Sequence, residues 1–287
     1  MPIIARGPEP EPTPEPAEGL AREPGLPHKA RAWAESFGAE AERYDRARPR
    51  YPDVLIRRIA DASPGPEVLD VGCGTGIATR QFRDAGCRVL GVEVDARMAE
   101  QARRHGIVVE VSKFEDWDPA GRSFDAVVAA QTWHWIDALA GARQAARVLW
   151  PGGRFAVFWN VAKPEPALAE AFAEVYRTAV PDNPIFGRGA AAGGEGGYAV
   201  FSERAAEGLR ESGAFSDAEQ WTYDWERTYT RDEYLDVVPT LGGHSLFSPA
   251  ELAQVLSGIG AAIDAAGGVF AVRYTVEVCT AARLPAA

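Results

Sequence analysis

From residue 67 onward, short apolar runs alternate with segments whose apolar positions recur every three or four residues. That is the pattern of strands alternating with amphipathic helices, and it predicts a parallel sheet with helices on both faces. The predicted strands are 67–71, 88–94, 107–111, 124–130 and 154–159. Gly86 and Gly106 stand where a left-handed residue ends a helix, and Asp95 and Asp137 stand at helix starts. Right-handed crossovers put every strand C-terminus on one edge, so the loop after residue 71, Glu93 and Gln131 are expected to share one crevice. Upstream, Trp33, Phe37, Ala41 and Tyr44 recur at helical spacing until Arg48-Pro49-Arg50-Tyr51-Pro52 ends the run. This helix is expected to pack over the same edge of the sheet.

After residue 160 the rhythm breaks. A helical run over 166–180 leads through Pro181-Asp182-Asn183-Pro184 into 187–198, which holds six glycines and reads as a mobile flap. Residues 203–212 read as a helix, and 219–229 and 269–280 as strands. Between those strands, 231–238 and 249–266 read as helices of an insertion that caps the crevice. Residues 1–27, with Pro-Glu-Pro-Glu-Pro-Thr-Pro-Glu-Pro at 8–16, are too polar and proline-rich to bury a core and are expected to be disordered.

Composition narrows the partners. With 46% hydrophobic and 10% aromatic residues in 287, the chain has enough for one large core, or a core plus a cap. The net charge is −11, and the first 24 residues hold five Glu against two Arg, so most of the negative charge belongs to the body. An acidic body repels phosphate backbones and disfavours nucleic acid. Cys73, Cys87 and Cys279 have no metal-ligand spacing and form an odd set, so no metal is expected and reduced thiols in the cytoplasm are. No apolar run is long enough to span a membrane, and no apolar leader opens the chain.

The chemistry concentrates in Val68-Leu-Asp-Val-Gly-Cys-Gly-Thr-Gly76, a strand running into three glycines at alternate positions and then a helix. Such a loop lets backbone amides at a helix N-terminus approach a small polar ligand. Seventeen residues after Gly76, Glu93 ends the next strand, where a βαβ unit places a carboxylate that accepts from ribose hydroxyls. A dinucleotide site would read Gly-x-Gly-x-x-Gly and seat a diphosphate. Here the spacing is Gly-x-Gly-x-Gly, and Asp70, two positions before it, would repel a diphosphate but favour the sulfonium and ammonium of S-adenosylmethionine.

The stretch resembles the first motif of class I S-adenosylmethionine-dependent methyltransferases. From about 33 to 284 the chain is similar to their small-molecule branch, in particular the trans-aconitate methyltransferase-like group. The resemblance is carried by residues 44–52, 70–76, Gly91-Val92-Glu93-Val94-Asp95 with Met98, Phe114-Glu115-Asp116-Trp117, Gln131-Thr132-Trp133-His134-Trp135 and Leu149-Trp150-Pro151-Gly152-Gly153. It implies an α/β fold: a Rossmann-like, doubly wound seven-stranded sheet, mostly parallel with an antiparallel last strand, plus a helical cap. The expected division is a disordered Pro/Glu-rich tail (1–32), the cofactor-binding core (33–160), a flap, helix and sixth strand (161–230), the cap insertion (231–268) and the last strand with the C-terminus (269–287).

The resemblance further implies that Gly72 and Gly74 contact the methionine part and Glu93 the ribose. Val94 and Met98 would pack on the adenine, the backbone at Phe114 would meet its edge, and Gln131 would offer a carbonyl to the ammonium. Tyr44, Arg48, Asp70, Cys73 and Glu115 complete the expected cofactor site. Where the family often has Asp before Phe114, this chain has Lys113, which only donates. That contact is then absent, or supplied by Ser112 or Glu115.

Methyl transfer from a sulfonium is an in-line displacement that needs positioning and exclusion of water, and a base only when the acceptor holds a proton of high pKa. His134, between two tryptophans at the end of the fourth strand, and His244 in the cap are the candidate catalytic residues. For His134 the roles are general base or acceptor-orienting donor, against that of a satisfied structural histidine. Trp133 and Trp135 suit an apolar or aromatic acceptor, and Arg48 a carboxylate of cofactor or acceptor, against a surface ion pair. The function expected is methyl transfer to a small organic acceptor, most readily at oxygen, by a monomer or homodimer. The alternative is a protein of this fold that binds S-adenosylmethionine without transferring its methyl group.

Overall fold

The computed structural model describes residues 37–183 and 197–285. Trp33, the tail and most of the glycine-rich flap lie outside the described residues. Seven strands form one sheet in the order β3-β2-β1-β4-β5-β7-β6. They are β1 (Glu67–Val71), β2 (Arg88–Glu93), β3 (Val108–Val111), β4 (Phe124–Ala130), β5 (Leu149–Pro164), β6 (Glu219–Thr230) and β7 (Val269–Ala282). Strands β1 to β5 run parallel, and β7 lies antiparallel between β5 and β6. The helices are α1 (Ala41–Ala47), α2 (Asp53–Asp61), α3 (Ile77–Asp84), α4 (Ala96–Arg104), α5 (Ala138–Val148), α6 (Pro166–Ala179), α7 (Gly197–Ser212), α8 (Arg231–Val237) and α9 (Pro249–Ala265).

The period-2 alternation of the strands divides the core in two. Val127, Phe155, Val157 and Trp159 face one side, with α5 and α7 over them. Ala126, Val128, Ala156 and Phe158 face the other, against Ile56, Ile59 and Phe82 of α2 and α3. A third cluster joins Leu168 and Phe172 of α6 to Val255, Ile259 and Ile263 of α9. The insertion between β6 and β7 is therefore anchored on α6. Its two helices begin with capping boxes, Thr230 with Glu233 and Ser248 with Glu251.

Helix α4 starts at Asp95, whose side chain accepts from Arg97 N, and α5 at Asp137, which accepts from Ala140 N. Gly86 and Gly106 hold φ of +94° and +71°. Strand β5 is longer than the apolar run predicts. It starts at Leu149, shifts register across Gly152-Gly153, and continues past Trp159 to Pro164 by pairing with β7. Helix α2, directly after Pro52, is not among the predicted elements, although Leu55, Ile56 and Ile59 recur at helical spacing and form its buried face. Helix α7 begins at Gly197, six residues before the predicted run.

Candidate functional site

A cavity of about 180 Å³ opens at the C-terminal edge of β1, β2 and β4. The glycine loop forms its floor. Gly72, Gly74 and Gly76 hold φ of +63°, +55° and +85°, conformations that L side chains rarely adopt. Two of them also serve packing: a Cβ on Gly72 would lie 2.3 Å from Thr132 Oγ1, and one on Gly76 2.1 Å from Ile107 Cδ1. Gly74 differs. The nearest atom to its Cβ position is Met98 Cε at 3.5 Å, so the space before Gly74 is room for a ligand.

Two buried carboxylates face this floor from different sides. Glu93 Oε2 accepts from Gly74 N at 2.8 Å, and its Oε1 from the amides of Val94 and Asp95, both at 2.9 Å. Three backbone donors thus hold Glu93 at the cavity wall, which leaves a carboxylate with about one further lone-pair direction. Burial raises its pKa, and the three amides pull against that rise. Asp70 is fully buried in an adjoining small hollow that it shares with Cys73, Gly72 and Gly74. Its Oδ2 accepts from Thr79 Oγ1 at 2.6 Å while Oδ1 has no partner. Burial lifts the Asp70 carboxyl to about 7, opposed by the Thr79 bond and reinforced by the charge of Glu93. An orphaned buried acceptor is costly, by roughly 1–3 kcal/mol, unless a ligand or water supplies a donor. Burial also pushes the Cys73 thiol well up, which disfavours its thiolate.

Met98, Val94, Ser112, Lys113, Phe114 and Glu115 form one wall of the cavity. Phe114 is buried and stacks on Trp117 at 6.5 Å. Ser112 Oγ donates to the Lys113 carbonyl, and Glu115 Oε1 accepts from Asp137 N at 3.3 Å. At the end of β4, Gln131 takes a left-handed φ of +60°, a conformation that costs a non-glycine residue about 1–2 kcal/mol. Its Nε2 donates to the Asn160 carbonyl at 3.2 Å, and its buried Oε1 has no partner.

The opposite wall is aromatic and cationic. Tyr44 and Arg48 of the N-terminal segment, Tyr198 and Gly242 all reach the cavity. The Arg48 guanidinium lies 5.3 Å from the centre of the Tyr44 ring and has no carboxylate partner among the described residues. Its pKa is raised, the effect of the tyrosines around it exceeding that of burial. A longer groove of about 1390 Å³ leads away from Arg48 and Gln131 past Tyr234, Phe270 and Tyr274.

The two histidines part company. His134 lines the cavity, stacked on Phe201 at 4.7 Å. Its Nδ1 lies 3.1 Å from the indole nitrogen of Trp159, which only donates, so Nδ1 is the acceptor and neutral His134 carries its proton on Nε2. Burial pushes its pKa down to about 3. A ring in that state orients by donating and is a poor base at neutral pH. His244 is buried in the insertion, with Nε2 2.8 Å from the Tyr176 hydroxyl, and does not line the cavity. Asn160 and Tyr274 had no signal in the sequence, because each lies in a segment far from the glycine loop, and Tyr198 is marked there only as the end of the predicted flap.

Residues 68–153 match the model of a methyltransferase domain family. A methyltransferase of Mycobacterium tuberculosis, itself uncharacterized, is 36% identical over 127 residues, covering 44% of this chain and 52% of that protein. A malonyl-[acyl-carrier protein] O-methyltransferase of Enterobacter lignolyticus is 33% identical over 155 residues, covering 51% and 60%. A 27-O-demethylrifamycin SV methyltransferase of Amycolatopsis mediterranei is 34% identical over 136 residues, covering 43% and 50%. The chain spans about half the length of the curated relatives it matches. A solved type II methyltransferase candidate from Anaeromyxobacter dehalogenans superposes with a TM-score of 0.58 at 23% identity, covering 83% of this chain and 99% of that one. The sheet described above is thus the methyltransferase fold, and the cavity lining lies within the matched residues apart from Phe37, Tyr44, Arg48, Tyr198 and Gly242.

Proposed function

We propose that this chain is an S-adenosylmethionine-dependent methyltransferase acting on a small organic acceptor, at oxygen. The observation that carries the reading is the glycine loop with room before Gly74, flanked by Glu93 and by an Asp70 whose Oδ1 lacks a donor. When bound, S-adenosylmethionine supplies an electrophilic methyl group on a sulfonium. Glu93 accepts from the ribose with its remaining lone pair, and Val94 and Met98 pack against the adenine. Asp70, Cys73 and the loop amides stand near the methionine part, where the orphaned Oδ1 and the Gln131 carbonyl suit an ammonium. Phe114 and Glu115 bound the adenine edge. Tyr44 and Arg48 close the opposite side, and His134 orients the acceptor by donating from Nε2. His244 serves the insertion's own packing instead.

Two of the relatives carry oxygen methylation in their names, which supports oxygen as the target here. The trans-aconitate methyltransferase-like resemblance, cytoplasmic location and action as monomer or homodimer belong to the same proposal. Among the described residues no helix is long and apolar enough to cross a membrane. The test is incubation with S-adenosylmethionine tritiated in the methyl group and a small-molecule extract. Label should pass into an organic product with release of S-adenosylhomocysteine. Tight binding with no transfer to any extract would make the chain a binding protein.

A further inference from the structure

A second hollow, of about 790 Å³, lies on the outer side of α1 and α3 and is lined by six arginines, Arg46, Arg48, Arg50, Arg80, Arg83 and Arg227, against two aspartates, Asp45 and Asp84. The chain as a whole is acidic, at −11. Ion pairing accounts for part of this cluster. Arg46 is held in a fork by Asp236 at 2.8 and 3.0 Å, Arg80 pairs with Asp45 at 2.7 Å, and Arg50 reaches Asp84 at 3.7 Å. Asp45 is shared, since its other oxygen lies 2.9 Å from His105 Nε2.

The remainder is not neutralised. Arg83 donates only to the carbonyls of His105 and Gly106, and Arg227 to that of Ala47 at 3.5 Å. The Arg48 guanidinium has no carboxylate partner among the described residues and lies over the Tyr44 ring, and Arg80 Nη1 is buried with no hydrogen-bond partner among them. Asp45, Asp84 and Asp236 balance at most three of the six guanidinium groups, and those left in excess repel one another. Planar guanidinium forks suit the oxygens of a phosphate, which brings close to two negative charges at neutral pH. Arg48 and Ile77 line both this hollow and the small hollow behind the glycine loop, and Arg48 also lines the ligand cavity. The arginine hollow therefore adjoins the interior site through one side chain.

We propose that the hollow is a phosphate-binding site, which seats either a phosphate carried by the methyl acceptor or a free phosphate bound beside the crevice. The identity of the organic part rests on the methyl-transfer reading; the binding of the anion does not. Arg50 and Arg83 are exposed and lie outside the ligand cavity, so Arg50→Glu/Arg83→Glu probes the hollow alone, with Arg50→Lys/Arg83→Lys as the charge-keeping control. Wild type and both variants are titrated calorimetrically with inorganic phosphate and with phenyl phosphate at constant ionic strength in chloride, with and without S-adenosylhomocysteine.

The wild type should bind phosphate above the chloride background, and the Glu pair should weaken it at least tenfold while S-adenosylhomocysteine affinity stays unchanged and the thermal melt remains cooperative. The Lys pair should lose no more than about threefold. Tighter binding of phenyl phosphate than of inorganic phosphate assigns the site to the acceptor, and equal binding assigns it to free phosphate. Phosphate binding that is absent in the wild type, or equal in the Glu pair, overturns the proposal. Failure of the methyl-transfer reading is distinguishable, because tritium would then pass from S-adenosylmethionine to no extract whether or not phosphate binds.

Discussion

The two walls of the cavity are built on opposite plans. On the glycine-loop side, Asp70, Gly72, Gly74 and Glu93 come from 24 consecutive residues, and backbone atoms do most of the holding: amides clamp Glu93, and positive φ shapes the loop. On the other side, Tyr44, Arg48, His134 and Tyr198 come from segments about a hundred and fifty residues apart, and side chains do the work. Backbone geometry fixes the first wall whatever the acceptor. The second wall has side chains that substitution alters freely, which is where the proposed methyl transfer would put acceptor choice.

The largest effect that separates the walls is expected at Gly74. A methyl group there meets only Met98 Cε at 3.5 Å, so Gly74→Ala should cost stability only through its positive φ, about 1–2 kcal/mol, while filling the ligand space. S-adenosylhomocysteine affinity should fall about a hundredfold or more. A variant that binds normally would place the ligand elsewhere. Glu93→Ala comes next, since it removes a charge-assisted bond to the ligand and frees three amides. With about 1.5–3 kcal/mol for a hydrogen bond to a charged group, calorimetry should show at least tenfold weaker binding.

The second wall should respond in turnover. Because His134 is neutral with its pKa pushed down to about 3 and Nδ1 engaged by Trp159, His134→Gln should lower the rate less than tenfold, and no rate limb near pH 6.5 should vanish with it. Loss of such a limb in the variant would show that His134 titrates as a base. The smallest effect is a pH drift in stability. Asp70 in the folded ligand-free protein has its pKa raised to about 7 from the usual carboxylate value near 4, so the folded state holds the extra proton between those values. Stability should therefore fall as pH rises from about 4 to 7 and level off above, and Asp70→Asn should remove that part of the slope in thermal melts. A slope unchanged in the variant would assign the drift to other groups.

The same contrast decides what the sequence could disclose. The strands around the loop, the helix starts at Asp95 and Asp137 and the positive-φ glycines are local, and each has a cue within a few residues. The seven-stranded fold followed from their alternation together with the family resemblance. The extension of β5 to Pro164 had no local cue, because its pairing with β7 lies more than a hundred residues away. Neither did the Trp159 bond that sets the proton position on His134, nor the approach of Tyr198 and Tyr274 to Arg48, since contacts between distant segments leave no periodicity behind. Arginines 46, 48 and 50 stand together in the sequence, but their meeting with Arg80, Arg83 and Arg227 is a product of the fold.

The central claim is that the glycine-loop wall selects S-adenosylmethionine over a dinucleotide. Parallel calorimetric titrations of the full chain with S-adenosylhomocysteine and NAD test it directly. Micromolar or tighter binding of S-adenosylhomocysteine with no response to NAD is the predicted result, and binding of NAD with no response to S-adenosylhomocysteine would contradict it.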